Sequence, residues 1–240
     1  MPQLAIERLC EEGSALLART EYLAAESRLE EALQAALGAE DWDTVARVAM
    51  PLQETRRQRR QRCGEGTVWL DVCGPDAPDP ASLVDQFPHG QFLIPGHGST
   101  RPSVELRELA ANRQLYVECF LSASYPIGDR QILLIVPTKD VQLPPPGTRT
   151  LDELIRLAPP HSIVQPQDEL PRGAHPGTAS TFSMVMGLWE RLHKPFLAMA
   201  QSARNPRNRI RECLRTIDVD YACELAHQLL ADAARRLRSG

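Results

Sequence analysis

Apolar residues recur every three or four positions at both ends of the chain, whereas the middle carries short apolar runs broken by proline and glycine. The first spacing is that of helices with one buried face, the second that of strands joined by turns. Leu4, Leu9, Leu16 and Leu17 mark one face of a helix that ends near Arg19. Tyr22, Ala25, Leu29, Ala32, Leu33 and Ala36 mark a second, which stops at Gly38, a residue suited to a helix C-terminus. The connection at Thr20–Glu21 is so short that the two helices must fold back as a hairpin. A third helix starts near Asp41–Asp43, runs through Val45, Val48 and Leu52, and continues into ETRRQRRQRC. Pro51 is expected to kink or break it, because proline lacks an amide hydrogen and crowds the preceding turn.

From Gly64 the pattern changes. TVWLDVC (67–73), QFLIP (91–95), LYVECFL (115–121) and QILLIVP (131–137) read as strands, and SVELRELAANRQ (103–114) as a helix. The second and third strands flank that helix, which predicts a parallel βαβ unit. The third and fourth are separated by ASYPIGDR, too short for a parallel crossover, so a hairpin is expected. The turn-rich GPDAPDP follows the first strand. Pro144–Pro145–Pro146–Gly147 opens a proline-rich passage, read as an extended wrapping loop or linker around a short helix at 151–157. Three helices close the chain, at 180–202 with a kink at Pro195, at 206–216 and at 218–237. Asn205 before Pro206 is a helix-start signature, and Asp218 is placed to cap the last helix. The segments expected are a helical hairpin with a kinked third helix (1–63), a small α/β region (64–143), a proline-rich loop or linker (144–178) and C-terminal helices (179–240).

Leu9-x2-Glu12-Gly13-x2-Leu16 and Ala25-x3-Leu29-x2-Ala32 add a more specific pattern to the first two helices. This hairpin resembles a single tetratricopeptide unit, in which small residues sit where two helices cross closely. Glu12 departs from the usual apolar residue, and Leu37 stands where the closing proline is usual. The resemblance implies an antiparallel helix pair and a habit of binding other proteins, and it implies no reaction. No second complete copy follows. One such hairpin cannot cover its own apolar face. It must therefore pack on the helix at 41–62, on the α/β region or on a partner chain. The predicted fold class is α/β: an N-terminal tetratricopeptide-like hairpin, a small mixed βαβ-type sheet with a hairpin edge strand, and C-terminal helices.

Composition narrows the classes of function. The 240 residues are 42% hydrophobic and 24% charged, as in globular proteins, and aromatics at 5% favour helical packing with a small sheet over a β-sandwich. A net charge of −4 argues against a chain built to coat nucleic acid. The start, MPQLAIERLCEEG, lacks the basic and apolar regions of a secretory signal, and no apolar run is long enough to span a membrane. A cytoplasmic location is therefore expected, with the six scattered cysteines as free thiols.

Two stretches are candidates for chemistry. Arg56, Arg57, Arg59, Arg60 and Arg62 crowd five guanidinium groups into about two helical turns. They suit a solvated or salt-bridged helix face, since residues 1–54 hold 11 acidic and 4 basic side chains. They also suit a partner surface, for which the candidates are Trp42, Arg56, Arg57, Arg59 and Arg60. Nucleic acid ranks last, because no aromatic residue is interleaved to stack on bases. Gly96-His97-Gly98-Ser99-Thr100 lies between a strand and a helix, where backbone amides can hold a phosphate or carboxylate. Gly96, Gly98, Ser99 and Thr100 are the anion-binding candidates, although the P-loop lysine is missing and a plain turn with a helix cap explains the segment equally.

The remaining features imply less. Asp71 and Cys73 lie on the first strand, where α/β enzymes often keep reactive groups. The histidines have no zinc-ligand spacing to one another or to cysteine, and no nucleophile motif is present, so no metal, cofactor or catalytic set is expected. Leu225, Leu229, Ala233 and Leu237 form a core-facing stripe on the last helix. The function expected is a non-enzymatic interaction or adaptor module whose partner is another protein. Its alternatives are an enzyme or sensor binding an anionic small molecule at 96–100, and nucleic-acid binding at 56–62.

Overall fold

The leucine and alanine spacing at the N-terminus becomes a helical hairpin, α1 (Gln3–Ala18) and α2 (Tyr22–Gly38). A Cβ on Gly13 would lie 2.7 Å from the Leu29 Cγ, so glycine is what lets the two helices meet at that crossing. All six residues predicted to face inward from α2 are buried, whereas in α1 the buried N-terminal residue is Ile6 and Leu4 is exposed. The left-handed residues of the two turns are Thr20 and Glu40, and Gly38 is simply the last helical residue. The computed structural model describes residues 3–74 and 77–238. Pro75 and Asp76 of the turn-rich GPDAPDP stretch lie outside the described residues, as do Met1, Pro2, Ser239 and Gly240.

Asp41 caps α3 (Trp42–Glu65) by accepting the Thr44 amide, and the helix runs on past Pro51 unbroken. β1 (Thr67–Trp69) is shorter than predicted. It is followed by α4 (Pro80–Gln86), which the pattern missed although Asp79 accepts the Ala81 and Ser82 amides and Pro80 opens the first turn. Next come β2 (His89–Leu93), β3 (Gly96–His97), α5 (Arg101–Asn112), β4 (Tyr116–Phe120), β5 (Ser122–Ile127) and β6 (Arg130–Ile135). Then follow α6 (Leu151–Leu157), β7 (Ile163–Pro166) and β8 (His175–Pro176). The chain closes with α7 (Ala179–Ser202), α8 (Pro206–Val219) and α9 (Glu224–Arg238). Asn205 caps α8 as its sequence signature predicts, but Asp218 lies inside α8 and caps nothing at α9. Among the described residues no helix is long and apolar enough to cross a membrane.

The fold is α/β, with helices at both ends of the chain, and it divides into two compact units. The helical unit comprises residues 1–60 and 193–240, so the division falls inside α3 and α7. Its core joins Ile6, Leu29, Leu33, Val45, Val48 and Leu52 to Ile210, Cys213, Ile217 and Leu230. Fully buried alanines, including Ala32, Ala36, Ala49, Ala226, Ala233 and Ala234, lie between these larger side chains. The apolar face of the hairpin is thus covered by α3 and the C-terminal helices. On α9 the predicted stripe is met in part: Ala233 is buried and Leu229 and Leu237 pack partly on the core, but Leu225 is exposed and Ala226, His227 and Leu230 are buried beside them. Small residues admit close helix packing, and the leucines of α9 flank that seam.

The α/β unit, residues 61–192, holds two four-stranded sheets, in the orders β4-β2-β1-β8 and β3-β5-β6-β7. β1, β2 and β4 are parallel, linked through α4 and α5, and the predicted βαβ unit is β2-α5-β4. Phe92, Val117 and Cys119 from the strands pack with Leu83, Val84, Leu106 and Ala110 from the helices. The predicted hairpin forms with a different first strand: β5 pairs with β6 around Gly128–Asp129, and Gly128 takes φ +62° as a type II′-like turn requires. β4 and β5 are separated by Leu121 alone, so one extended run serves both sheets. The proline-rich passage contributes edge strands, β7 on β6 and β8 on β1. Edges tolerate proline because an unpaired strand side needs no amide donor.

Candidate functional site

Helical periodicity divides the arginine run into an inner and an outer face. Arg56 and Arg60 continue the stripe of Val45, Val48, Ala49 and Leu52 and are 4% and 3% exposed, whereas the Arg57 side chain is 46% exposed. Arg56 Nε donates to Glu26 Oε1 at 3.0 Å, its Nη2 lies 3.3 Å from Glu30 Oε2, and its Nη1 lies 3.4 Å from His227 Nε2. Arg59 Nη1 donates to the other Glu26 oxygen at 2.8 Å. Arg60 Nη2 is 2.7 Å from Asp220 Oδ1, and the guanidinium groups of Arg59 and Arg60 both lie over the Tyr221 ring. Arg57 and Arg62 point outward and pair locally with Glu54 and Glu65. Burial therefore withdraws Arg56 and Arg60 from the surface that the sequence assigned to a partner. Trp42, also assigned there, packs partly on the core and lies under Arg207, whose guanidinium carbon is 5.3 Å from its ring centre.

This network sets the charge states within it. Burial would raise the Glu26 carboxyl, but the charges of Arg59 and Arg56 outweigh it and hold the group below its ordinary value. His227 is fully buried, and burial together with the Arg56 charge lowers it to about 4, so the ring is neutral at pH 7. Because Nε2 faces the Arg56 donor, the proton resides on Nδ1, which is 3.0 Å from the Cys223 carbonyl oxygen. Burial would also raise Asp220, yet the Arg60 charge and the His193 hydrogen bond bring it down to about 2. For His193, burial opposes the charged form, but the bond to Asp220 and the nearby Cys223 raise it to about 9.

The histidine spacing suggested no cluster, yet the fold brings His193, Asp220 and Cys223 together. His193 Nδ1 is 2.6 Å from Asp220 Oδ2, and one ligand atom from each of the three residues lies within 4.8 Å of the others. His193 comes from α7 and the other two from the α8–α9 turn, 27 positions away, a separation that no local motif encodes. The signal available in the sequence was Asp-x2-Cys at a break between two amphipathic helices.

The 96–100 loop is closed by its own backbone. The Gly96 amide donates to the Ser99 carbonyl, the Ser99 amide to the Gly96 carbonyl, and the Gly98 amide to the Ser124 carbonyl. The Arg101 amide is taken by Ser99 Oγ. Gly98 has φ +57°, and a Cβ there would meet Pro146 at 2.7 Å, so the proline-rich passage lies directly on the loop. The amides of Gly96, Gly98 and Ser99 thus already have main-chain acceptors, and Thr100 offers no side-chain cap to α5. Near β1, Asp71 accepts hydrogen bonds from the Trp69 indole and the Gly173 amide. Burial and the Asp71 charge push the Cys73 thiol up to about 11, away from a reactive thiolate.

Two open clefts lie on the hairpin. One, of about 490 Å³, is lined by Leu9, Ser27, Glu30, Glu31, Gln34 and Ala35. The other, of about 220 Å³, is lined by Cys10, Glu11, Ser14 and Leu29 of the hairpin and by Arg47, Val48 and Pro51 of α3. The comparisons with known proteins add no relative: no family model, no curated protein and no solved structure matches the chain.

Proposed function

We propose that this chain is a protein-interaction or adaptor module whose helical unit takes a basic segment of a partner protein in the α1–α2 cleft. The observation that carries this reading is the 490 Å³ cleft, with Leu9 and Ala35 among its apolar residues and Glu30 and Glu31, each about half exposed, beside them. The two helices together carry six acidic and two basic residues, so the surface attracts cations. An extended segment with an apolar side chain beside a lysine or arginine fits both features. A cytoplasmic setting belongs to the same reading and is supported by six cysteines that are all unbridged. The internal pairing of Arg56, Arg59 and Arg60 favours it over phosphate binding, and the occupied amides at 96–99 favour it over an anion site.

Selection of a random-peptide library on the full chain tests the proposal. Enriched peptides are expected to combine Lys or Arg with one or two apolar residues. Their affinity should fall at least about tenfold on Glu31→Lys or Ala35→Arg, and it should weaken in high salt. No enrichment, or enriched peptides indifferent to both substitutions in a protein of unchanged circular dichroism, overturns the reading.

A further inference from the structure

We infer that His193, Asp220 and Cys223 form a binding site for one divalent transition-metal ion of the zinc class. The three residues offer an imidazole nitrogen, a carboxylate oxygen and a sulfur, all within 4.8 Å of one another. A tetrahedral ion bonded at about 2.0 Å to N and O and 2.3 Å to S holds its ligand atoms roughly 3.3–3.8 Å apart. The present 2.6 Å between His193 Nδ1 and Asp220 Oδ2 is a hydrogen bond whose proton occupies the place of the ion. Exchanging that proton for a metal requires the His193–Asp220 pair to open by about 0.7 Å and the widest pair, at up to 4.8 Å, to close by about 1 Å.

The surroundings hold the ligands in place. Asp220 Oδ1 is held from behind by Arg60 at 2.7 Å and by the Ala222 amide at 3.2 Å, leaving Oδ2 to face the histidine. The Cys223 amide donates to the Asp220 carbonyl, which fixes the turn between the two ligands. Such outer contacts orient metal ligands and are part of a working site. Asp220 and Cys223 are 1% and 5% exposed, while the His193 side chain is 13% exposed, so solvent reaches the cluster from the histidine side. Three protein ligands and one wet edge leave a fourth position for water. A thiolate and an imidazole select zinc or cobalt over calcium or magnesium, which need several oxygen ligands. One thiolate and one carboxylate match the two charges of a divalent ion, and the Arg60 guanidinium on the same carboxylate leaves one positive charge over, which favours an anionic fourth ligand such as hydroxide.

Titration of the full-length, chelator-treated protein with Co²⁺ under reducing conditions tests the site directly. One equivalent is expected to produce a sulfur-to-cobalt charge-transfer absorption together with visible bands of four-coordinate cobalt, and both should be displaced by Zn²⁺. Cys223→Ser should abolish the charge-transfer absorption, and His193→Ala should weaken binding at least about tenfold while circular dichroism stays unchanged. Absence of stoichiometric binding overturns the inference. So does a charge-transfer band that survives Cys223→Ser, since the ion is then held by another cysteine. Neither outcome depends on the α1–α2 cleft, so the two proposals fail separately.

Discussion

The α/β unit buries neutral polar groups for the most part: Gln91, Ser103, Ser122 and Ser124, with the Glu118 carboxylate accepting the Gln91 amide at 2.6 Å. The helical unit buries neutral groups too, Thr44, Gln53, Thr55 and Thr216, but adds five full charges, Glu26, Arg56, Arg60, Glu212 and Asp220, beside the neutral ring of His227. The difference follows from what sets register in each. Strands are aligned by a ladder of backbone hydrogen bonds, so their side chains need only fill space. Helices satisfy their own backbones, and a seam rich in alanine distinguishes poorly between one helix register and the next. A buried guanidinium that meets its carboxylate in one register alone supplies that distinction, which is the best-attested use of buried ion pairs.

The largest test of this contrast is Glu26→Ala. It strips Arg56 and Arg59 of their shared carboxylate, leaving the buried Arg56 only the half-exposed Glu30, and should cost about 3 kcal/mol in urea denaturation, the usual effect of breaking a buried pair. A loss below about 1 kcal/mol would show that the alanine seam holds its register unaided.

An effect of at most about 3 kcal/mol is expected from pH. His227, faced by Arg56, Glu26 and Asp220, titrates at about 4 in the folded chain and near the ordinary 6.5 when unfolded. Between those values the unfolded state binds the extra proton. Its stabilisation is therefore fully present above pH 6.5 and is lost as pH falls towards 4. Urea midpoints at pH 7 and pH 5 should differ more for the wild type than for His227→Gln, and equal shifts in both proteins would refute this assignment. The smallest effect belongs to Arg57→Ala on the outer face of the same run. Its exposed pair with Glu54 should be worth no more than about 0.5 kcal/mol. A larger loss would mean that the inner and outer faces act as one network.

Much of this architecture was legible from periodicity. The hairpin, its buried α2 face, the β2-α5-β4 unit and the Asn205 cap all rest on interactions between near neighbours, which local patterns record. α4 was missed because proline and aspartate were weighed as turn residues, although Asp79–Pro80 is also a helix start. β7 and β8 were missed because proline argues against a strand until its place at a sheet edge is known. In the candidate site, charge balance already pointed to acidic partners for the arginine run. The division of the run into buried and exposed members was also present, in the continuation of the Val45–Leu52 stripe through Arg56 and Arg60. The triad was not legible, because His193 lies on α7 and Asp220 in the α8–α9 turn, and no spacing rule predicts how the two pack.

By itself the sequence determined the type of the longer helices and strands, the short hairpin at the N-terminus and the excess of acid in residues 1–54. Those depend on backbone propensity, capping and composition, each set by a few adjacent residues. Only the tertiary structure decided which acids meet the interior arginines, that Pro146 closes over Gly98, and that a histidine, an aspartate and a cysteine share one small volume. A charge becomes a core residue or a surface residue according to what packs over it. That covering comes from segments as far as 171 positions away, as where His227 meets Arg56, beyond the reach of any local pattern.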